Sequence, residues 1–306
     1  MKLSKKYFFA GILIGLVLLI CYFSSFPNNK LRIIVCDVGQ GDAVYIKAPN
    51  GMDMLIDGGP NGQVLSCLGK YMPFYDRTID LVVLTHPQND HLMGLISVLE
   101  RFTVKNFIIG VEGNSSEGYK KIVTLLKEKK IPVKNLYSGD KFAMGEARFM
   151  VLWPERKWVA EKIQDAKFIA QSINNGVLGL SSDTDLNLFS YNIYLNYRDF
   201  DVLFTGDADS KIQPEIEKTI DLPDIEVLKV PHHGSKTGIL SKFLDKLKPE
   251  IAVISVGKNS YGHPAEQTIN QLRSRNITVR RTDQEGDIEI VTDGKVNSNF
   301  QNPISK

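Results

Sequence analysis

Short apolar runs of strand length recur along this chain, and most of them end in glycine, histidine or aspartate. In the first third they are LRIIVCDVG, AVYIKAP, MDMLIDGG, DLVVLTH and NFIIG. Later come KFAMG, ARFMVLWP, DVLFTGD, IEVLKVPHHG, EIAVISVG and DIEIVTD. Such runs, punctuated by turn residues, read as buried strands. HLMGLISVLERF and YKKIVTLLKEKK read as helices between them, the second with Ile122, Val123, Leu125 and Leu126 as its apolar side. NLFSYNIYLNYRDFDVLFTGD reads as a hairpin turning at Tyr197–Asp199. Each half carries strands followed by a helix, which predicts an α/β fold of two packed sheets with helices outside, in one domain over residues 31–295. Residues 155–186 are the least regular and read as an insertion or lid, with a helix in KWVAEKIQDAKFIAQSI. Residues 296–306 form a polar tail.

The first thirty residues differ from the rest. Lys2, Lys5 and Lys6 precede the uncharged run Tyr7–Phe26. Twenty residues at about 1.5 Å each span roughly 30 Å, the thickness of a bilayer core. The run predicts one N-terminal transmembrane helix, with a cleaved signal peptide as the alternative. The basic flank places the remaining chain outside the cytoplasm, membrane-anchored or, if the run is cleaved, secreted. Residues 1–30 hold four lysines and no acid, so the chain's formal charge of +2 becomes −2 for residues 31–306. That argues against a general basic surface for nucleic acid. An anionic substrate would then be held by metal ions and local arginines. Cys21, Cys36 and Cys67 are too few for a disulfide framework or a zinc finger. Cys36 reads as core, and a Cys36–Cys67 bridge is possible outside the cell but not required.

All five histidines follow predicted strands. His86 and His91 follow IDLVVLT, His232 and His233 follow IEVLKVP, and His263 lies past IAVISVG. Active sites of α/β folds form where strands end and loops begin. THPQNDH places His86 at a strand end, then Asp90 and His91 at the opening of a helix. A histidine–carboxylate set of this kind suits zinc or manganese. Asp207 closes the run LFTGD at another strand end, and Asp57 closes LID, where a turn role and a ligand-fixing role are both open.

The ordered set DVGQGDAVYI, LIDGG, LTHPQNDHLMGL, Asn187 to Ser190, TGDAD, LKVPHHGS, SVG, YGHP and RTDQEG goes further. It resembles the metallo-β-lactamase-like domain of ComEC-type competence proteins and related stand-alone surface hydrolases, over about residues 31–295. The resemblance implies a four-layer αββα sandwich with its site where the two sheets meet at one edge. It implies His86, Asp90, His91, Asp207 and His233 as ligands of one or two divalent ions, Zn²⁺ or Mn²⁺. His232 could exchange with His233; otherwise it stands beside the substrate with His263, and Asp90 orients the attacking water. Asn187, Ser235 and Arg281 are expected in substrate or supporting contacts. One departure matters. The general pattern has a histidine two residues after His86, where this chain has Gln88, a neutral and weaker ligand. The centre is therefore expected to be lopsided, strong around Asp90, His91, Asp207 and His233 and doubtful beside Gln88.

Three functions follow from this reading. One is a nuclease acting on DNA, which would need a separate channel protein for any role in DNA uptake. Another is hydrolysis of a different surface phosphoester, on a polymer or a phospholipid headgroup. The last is a degenerate binding protein without catalysis.

Overall fold

The computed structural model of this chain describes residues 7, 9–16, 30–163, 178–180, 182–219 and 223–295. In chain order its strands are β1 (Leu31–Val35), β2 (Val44–Lys47), β3 (Asp53–Ile56), β4 (Thr78–Ile79), β5 (Leu81–Leu84), β6 (Thr103–Val104), β7 (Phe107–Ile109), β8 (Val133–Lys134), β9 (Lys141–Met144), β10 (Ala147–Trp153), β11 (Asn192–Tyr197), β12 (Phe200–Phe204), β13 (Val227–Lys229), β14 (Ile251–Ile254), β15 (Thr278–Arg281) and β16 (Ile288–Thr292). They form one sheet in the order β16-β1-β2-β3-β5-β7-β8 and a second in the order β15-β14-β13-β12-β11-β10-β9, with β4 and β6 pairing alone.

The apolar runs are continuous because both faces of each sheet are covered. On β1, Ile33 and Val35 point into the core between the sheets, while Ile34, and Cys36 just past the strand, point outward. The outward side chains pack beneath the helices Val64–Tyr71, Asn89–Arg101 and Glu117–Glu128. On β12, Val202 and Phe204 face the first sheet, and Leu203 packs outward against Ile216, Phe243, Leu244 and Leu272. The layers run helix, sheet, sheet, helix, as expected. The hairpin turns at Arg198 and Asp199, between β11 and β12. Sheet membership departs from a simple half-and-half division. DIEIVTD at the end of the chain becomes β16 and pairs antiparallel with β1, Leu31 opposite Thr292. The last strand thereby covers the otherwise open edge of the first sheet.

Between Gly59 and Asp80, where the sequence reading names no element, the chain forms the short Val64–Tyr71 helix. Its Cys67 is disulfide-bonded to Cys36, so of the two possibilities for Cys36 the structure takes the bridge, and the residue is also fully buried. The predicted helix over 157–173 is described as far as Arg156–Lys162; residues 164–177 lie outside the described residues, as do residues 296–306. Among the described residues no helix is long and apolar enough to cross a membrane. The predicted Tyr7–Phe26 span lies largely outside them, and residues 9–16 of it are helical.

Candidate metal centre

Strands from both sheets end at one edge of the sandwich, and there the predicted residues meet. Past β3 lies Asp57, past β5 Thr85 and His86, past β12 Asp207, and past β13 His232 and His233. The two sheets are joined at this edge by the backbone hydrogen bond from Tyr191 N to Thr85 O, 3.1 Å. Asp90 and His91 open the Asn89–Arg101 helix. That helix lies directly on the Asp57–Gly59 loop: a Cβ on Gly94 would come within 1.8 Å of Gly58 O, so only glycine fits.

Asp90, His91, Asp207 and His233 each offer one ligand atom, all within 4.8 Å of one another. His91 Nε2 is 3.3 Å from Asp207 Oδ1, and His233 Nε2 is 3.4 Å from Asp90 Oδ2 and 3.5 Å from Asp207 Oδ2. The far nitrogen of each imidazole is fixed. His91 Nδ1 meets Asp57 Oδ2 at 2.8 Å, His233 Nδ1 meets Ser255 O at 2.9 Å, and His86 Nδ1 meets Thr85 Oγ1 at 3.2 Å. Asp57 also accepts from the backbone N and the hydroxyl of Thr85, at 2.8 and 2.7 Å. Ligand histidines are oriented in this way in metal sites, with the free nitrogen turned to the ion.

The inward atoms His86 Nε2, His91 Nε2 and Asp207 Oδ1 are buried and make no hydrogen bond; the last two face each other as a charge pair, and His86 Nε2 has no such partner. An unsatisfied buried polar atom costs about 1–3 kcal/mol, so three at one point call for something to fill the space between them. Two imidazoles and two carboxylates fit a divalent cation such as Zn²⁺ or Mn²⁺. The backbone is strained at the same place. Asp57, His232 and His233 have φ of 59°, 49° and 52°, a region that is costly for residues with a Cβ and that clusters at functional sites.

Without a cation, the acids hold protons in the cluster. Burial alone would strip the proton from His91, but the charges of Asp207 and Asp57 outweigh it and hold the imidazole well above its ordinary pKa. Burial is outweighed at His233 too, by Asp207 and Asp42, and its pKa stands at about 10. Asp207 is held well below the carboxylate range, because His233 and His91 together overcome the penalty of burial. Asp90 is lowered against the same penalty, mainly by the hydrogen bond from His233. His86 behaves oppositely: burial, with the His91 charge beside it, pushes it down to about 3.

Two buried residues complete the charge pattern, and the sequence reading passed over both. Lys229 donates to Asp42 and, at 3.3 Å, to Gly206 O, the residue before Asp207. Asp42 Oδ1 in turn lies 3.4 Å from His233 Nδ1. A signal was present: a lysine inside the apolar run VLKV, and an aspartate inside GQGDAV.

A cleft of about 570 Å³ opens over the centre, lined by Asp90, His232, His233 and His263 together with Gln88, Tyr261 and others. The His232 ring is 5.5 Å from that of His263, and His232 Nε2 lies 3.9 Å from Asp207. His233 is thus the one of the adjacent pair inside the ligand group. Burial, with the His232 charge beside it, lowers the pKa of His263. Gln88 lines the same cleft. Three expected residues are not brought in. Arg281 pairs with Asp283 at 2.7 Å, and neither it nor Ser235 nor Asn187 lines the cleft. In the Asn187–Ser190 motif it is Ser190 that reaches the centre, accepting from Asp207 N at 3.2 Å.

Comparison with known proteins agrees with this geometry. The Metallo-beta-lactamase superfamily profile matches residues 36–258. The chain is 28% identical over 280 residues to "ComE operon protein 3" of Bacillus subtilis, covering 86% of this chain and 33% of that protein. It is 24% identical over 284 residues to "Recombination protein 2" of Haemophilus influenzae, covering 90% of this chain and 31% of that one. The chain thus spans about a third of the length of these curated relatives. Among solved structures, the metallo-beta-lactamase fold protein YhfI from Bacillus subtilis superposes with a TM-score of 0.51 at 11% identity, over 85% of this chain and 99% of that one.

Proposed function

This chain belongs to the metallo-beta-lactamase superfamily, and on that footing we propose that it is a metal-dependent phosphodiesterase acting on DNA, held at the cell membrane by its N-terminal apolar run with the catalytic domain outside the cytoplasm. The observation that carries the chemistry is the Asp90, His91, Asp207 and His233 cluster, with its inward atoms that make no hydrogen bond. The choice of DNA rests on likeness to the competence and recombination proteins named above. The Cys36–Cys67 disulfide supports the outer compartment, since such bonds persist where conditions are oxidising.

We assign His91, Asp90, Asp207 and His233 as the main ligands, Zn²⁺ or Mn²⁺ as the ion, and His86 as ligand of a weaker second position that Gln88 does not complete. A bound divalent cation supplies Lewis acidity, acidifying a water and offsetting charge on phosphoryl oxygens. Asp90, which lines the cleft, would orient the attacking water. His263 and His232 line the same cleft. Either one offers an N–H to the departing oxygen. Asp57, Ser255 and Thr85 hold the ligand rings in place.

The test is the full chain, stripped of metal, resupplied with Mn²⁺ or Zn²⁺ and offered single- and double-stranded DNA and bis-p-nitrophenyl phosphate. Turnover that depends on metal and is lost in Asp207→Ala supports the reading; no turnover with any metal sinks it. A second reading, hydrolysis of another surface phosphoester, is favoured by the net acidic charge of residues 31–306, since nonspecific DNA affinity rests on basic contacts. Cleavage of the small ester but of neither DNA form selects it.

A further inference from the structure

The end of the first sheet opposite the metal centre carries an apolar surface that nothing in the described residues covers. Outside the N-terminal run the large hydrophobic side chains exposed among the described residues are Met52, Phe74, Tyr75 and Tyr261. Tyr261 lines the metal cleft. The other three lie at the far end of the sheet. Met52 is in the turn that joins β2 to β3, with its carbonyl bonded to Ala48 N. Phe74 and Tyr75, 76% and 59% exposed, lie beside each other with ring centroids 5.4 Å apart in the loop after the Val64–Tyr71 helix. That loop is pinned to the same end. Asp76 lies 3.9 Å from Lys47, and Lys47 sits opposite Arg32 on β1 and Asp53 on β3. The Arg32 guanidinium also lies 5.9 Å from the Tyr71 ring.

β1 begins at this end, at Leu31, and the apolar run Tyr7–Phe26 stops four residues before Lys30–Leu31. A chain that leaves the bilayer at Phe26 therefore enters the fold beside Met52, Phe74 and Tyr75. Aromatic rings with a polar partner settle at the headgroup level of membranes. We propose that this end is a bilayer-docking face: the Phe74–Tyr75 loop and Met52 seat in the lipid interface, and the metal cleft points away from the membrane. The strands between the two ends are four or five residues long, roughly 15 Å. The cleft then opens to the aqueous phase, and headgroups of the same bilayer do not reach it. Its substrate comes from solution, which fits a soluble polymer such as DNA.

This inference rests on the membrane attachment proposed above, and three probes separate the two. The full chain is reconstituted in phosphatidylcholine nanodiscs with and without brominated acyl chains. Phe9→Trp reports the anchor, Phe74→Trp the docking face and Tyr261→Trp the cleft, each read as emission in excess of the unsubstituted chain. Expected is about a twofold or larger loss for Phe74→Trp, as for a ring at headgroup level, and no loss for Tyr261→Trp. Quenching of Phe9→Trp with Phe74→Trp unaffected overturns the docking face and leaves the anchor. Equal quenching of Tyr261→Trp and Phe74→Trp overturns the orientation. No quenching of Phe9→Trp or Phe74→Trp overturns anchor and face together.

Discussion

His91 and His86 are both fully buried, with ring centroids 4.2 Å apart, yet their protonation runs in opposite directions. His91 has carboxylates at both nitrogens, Asp57 at Nδ1 and Asp207 at Nε2. His86 has a threonine hydroxyl at one nitrogen and no partner at the other. The same residue type at the same depth is charged or neutral according to which neighbours carry charge. On the side of the centre built on His91 and His233, Asp90 and Asp207 are held ionised, while burial pushes the Asp57 carboxyl up. The His86 side offers a neutral imidazole, and position 88 beside it is glutamine rather than an acid.

The largest effect should come from Asp207, which meets His91 and His233 directly and whose charge also acts on His86. Asp207→Asn removes the charge that holds His91 and His233. We expect kcat/KM on bis-p-nitrophenyl phosphate to fall about a thousandfold or more, equivalent to about 4 kcal/mol, with bound metal lost in parallel. Retention of both would end the account of a shared centre. Next is Lys229→Met, which leaves Asp42 buried without its cation. Breaking a buried pair in this way costs about 3–5 kcal/mol, read from denaturant unfolding. A variant as stable as the parent would show that His233 alone balances Asp42.

Asp57→Asn tests one side in isolation. It leaves the His91 ring held by an amide, and loss of such a supporting carboxylate costs about 10–100-fold in metal affinity. A Thr85→Val control, which loosens His86 as well, should not mimic it if the His91 side dominates.

pH acts on the same asymmetry. The pKa values of His91 and His233 are raised, that of His233 to about 10, so both carry protons at pH 7 that a cation must displace. Metal affinity should therefore rise with pH, up to about tenfold per unit for each proton released. Isothermal titration in buffers of different ionisation enthalpy counts the protons. For the metal-free protein the two imidazoles His233 and His86 lose their contributions at opposite limits, Asp90 and Asp207 adding to the loss in acid. His233, raised above its unfolded value near 6.5, contributes fully below that pH, and the contribution is lost as pH climbs toward 10. His86, lowered to about 3, contributes above 6.5, and its share is lost as pH falls toward 3. Melting curves across pH that fall only on one side would break the comparison. The smallest effect is expected from Gln88→Asp, which gives His86 an acidic neighbour. A gain of about tenfold or less in affinity for a second ion, about 1.4 kcal/mol, is expected; no gain would place position 88 outside the ligand shell.

Much of the fold and of the site could be read in the sequence. Buried strands declare themselves because both faces must be apolar, and DLVVLTH shows the strand and the residue at its end in one string. The Asn89–Arg101 helix was legible from its periodicity, and the hairpin at Arg198–Asp199 from its turn. The Val64–Tyr71 helix was not, being eight residues long with a glycine inside. Lys229 and Asp42 stand out locally as charges in apolar or glycine-rich runs, but only the fold shows their pairing across 187 residues.

The sequence by itself therefore determined which side chains stand at strand ends, since side-chain alternation and turn chemistry act over a few residues. It also determined that position 88 lacks an acid or an imidazole. The tertiary structure decided which of those ends meet, that His233 rather than His232 points inward, and that Ser190 rather than Asn187 supports Asp207. It also decided which imidazoles are charged. These depend on electrostatics and packing between segments far apart in the chain, where a few ångströms in an interior of low dielectric outweigh anything written locally.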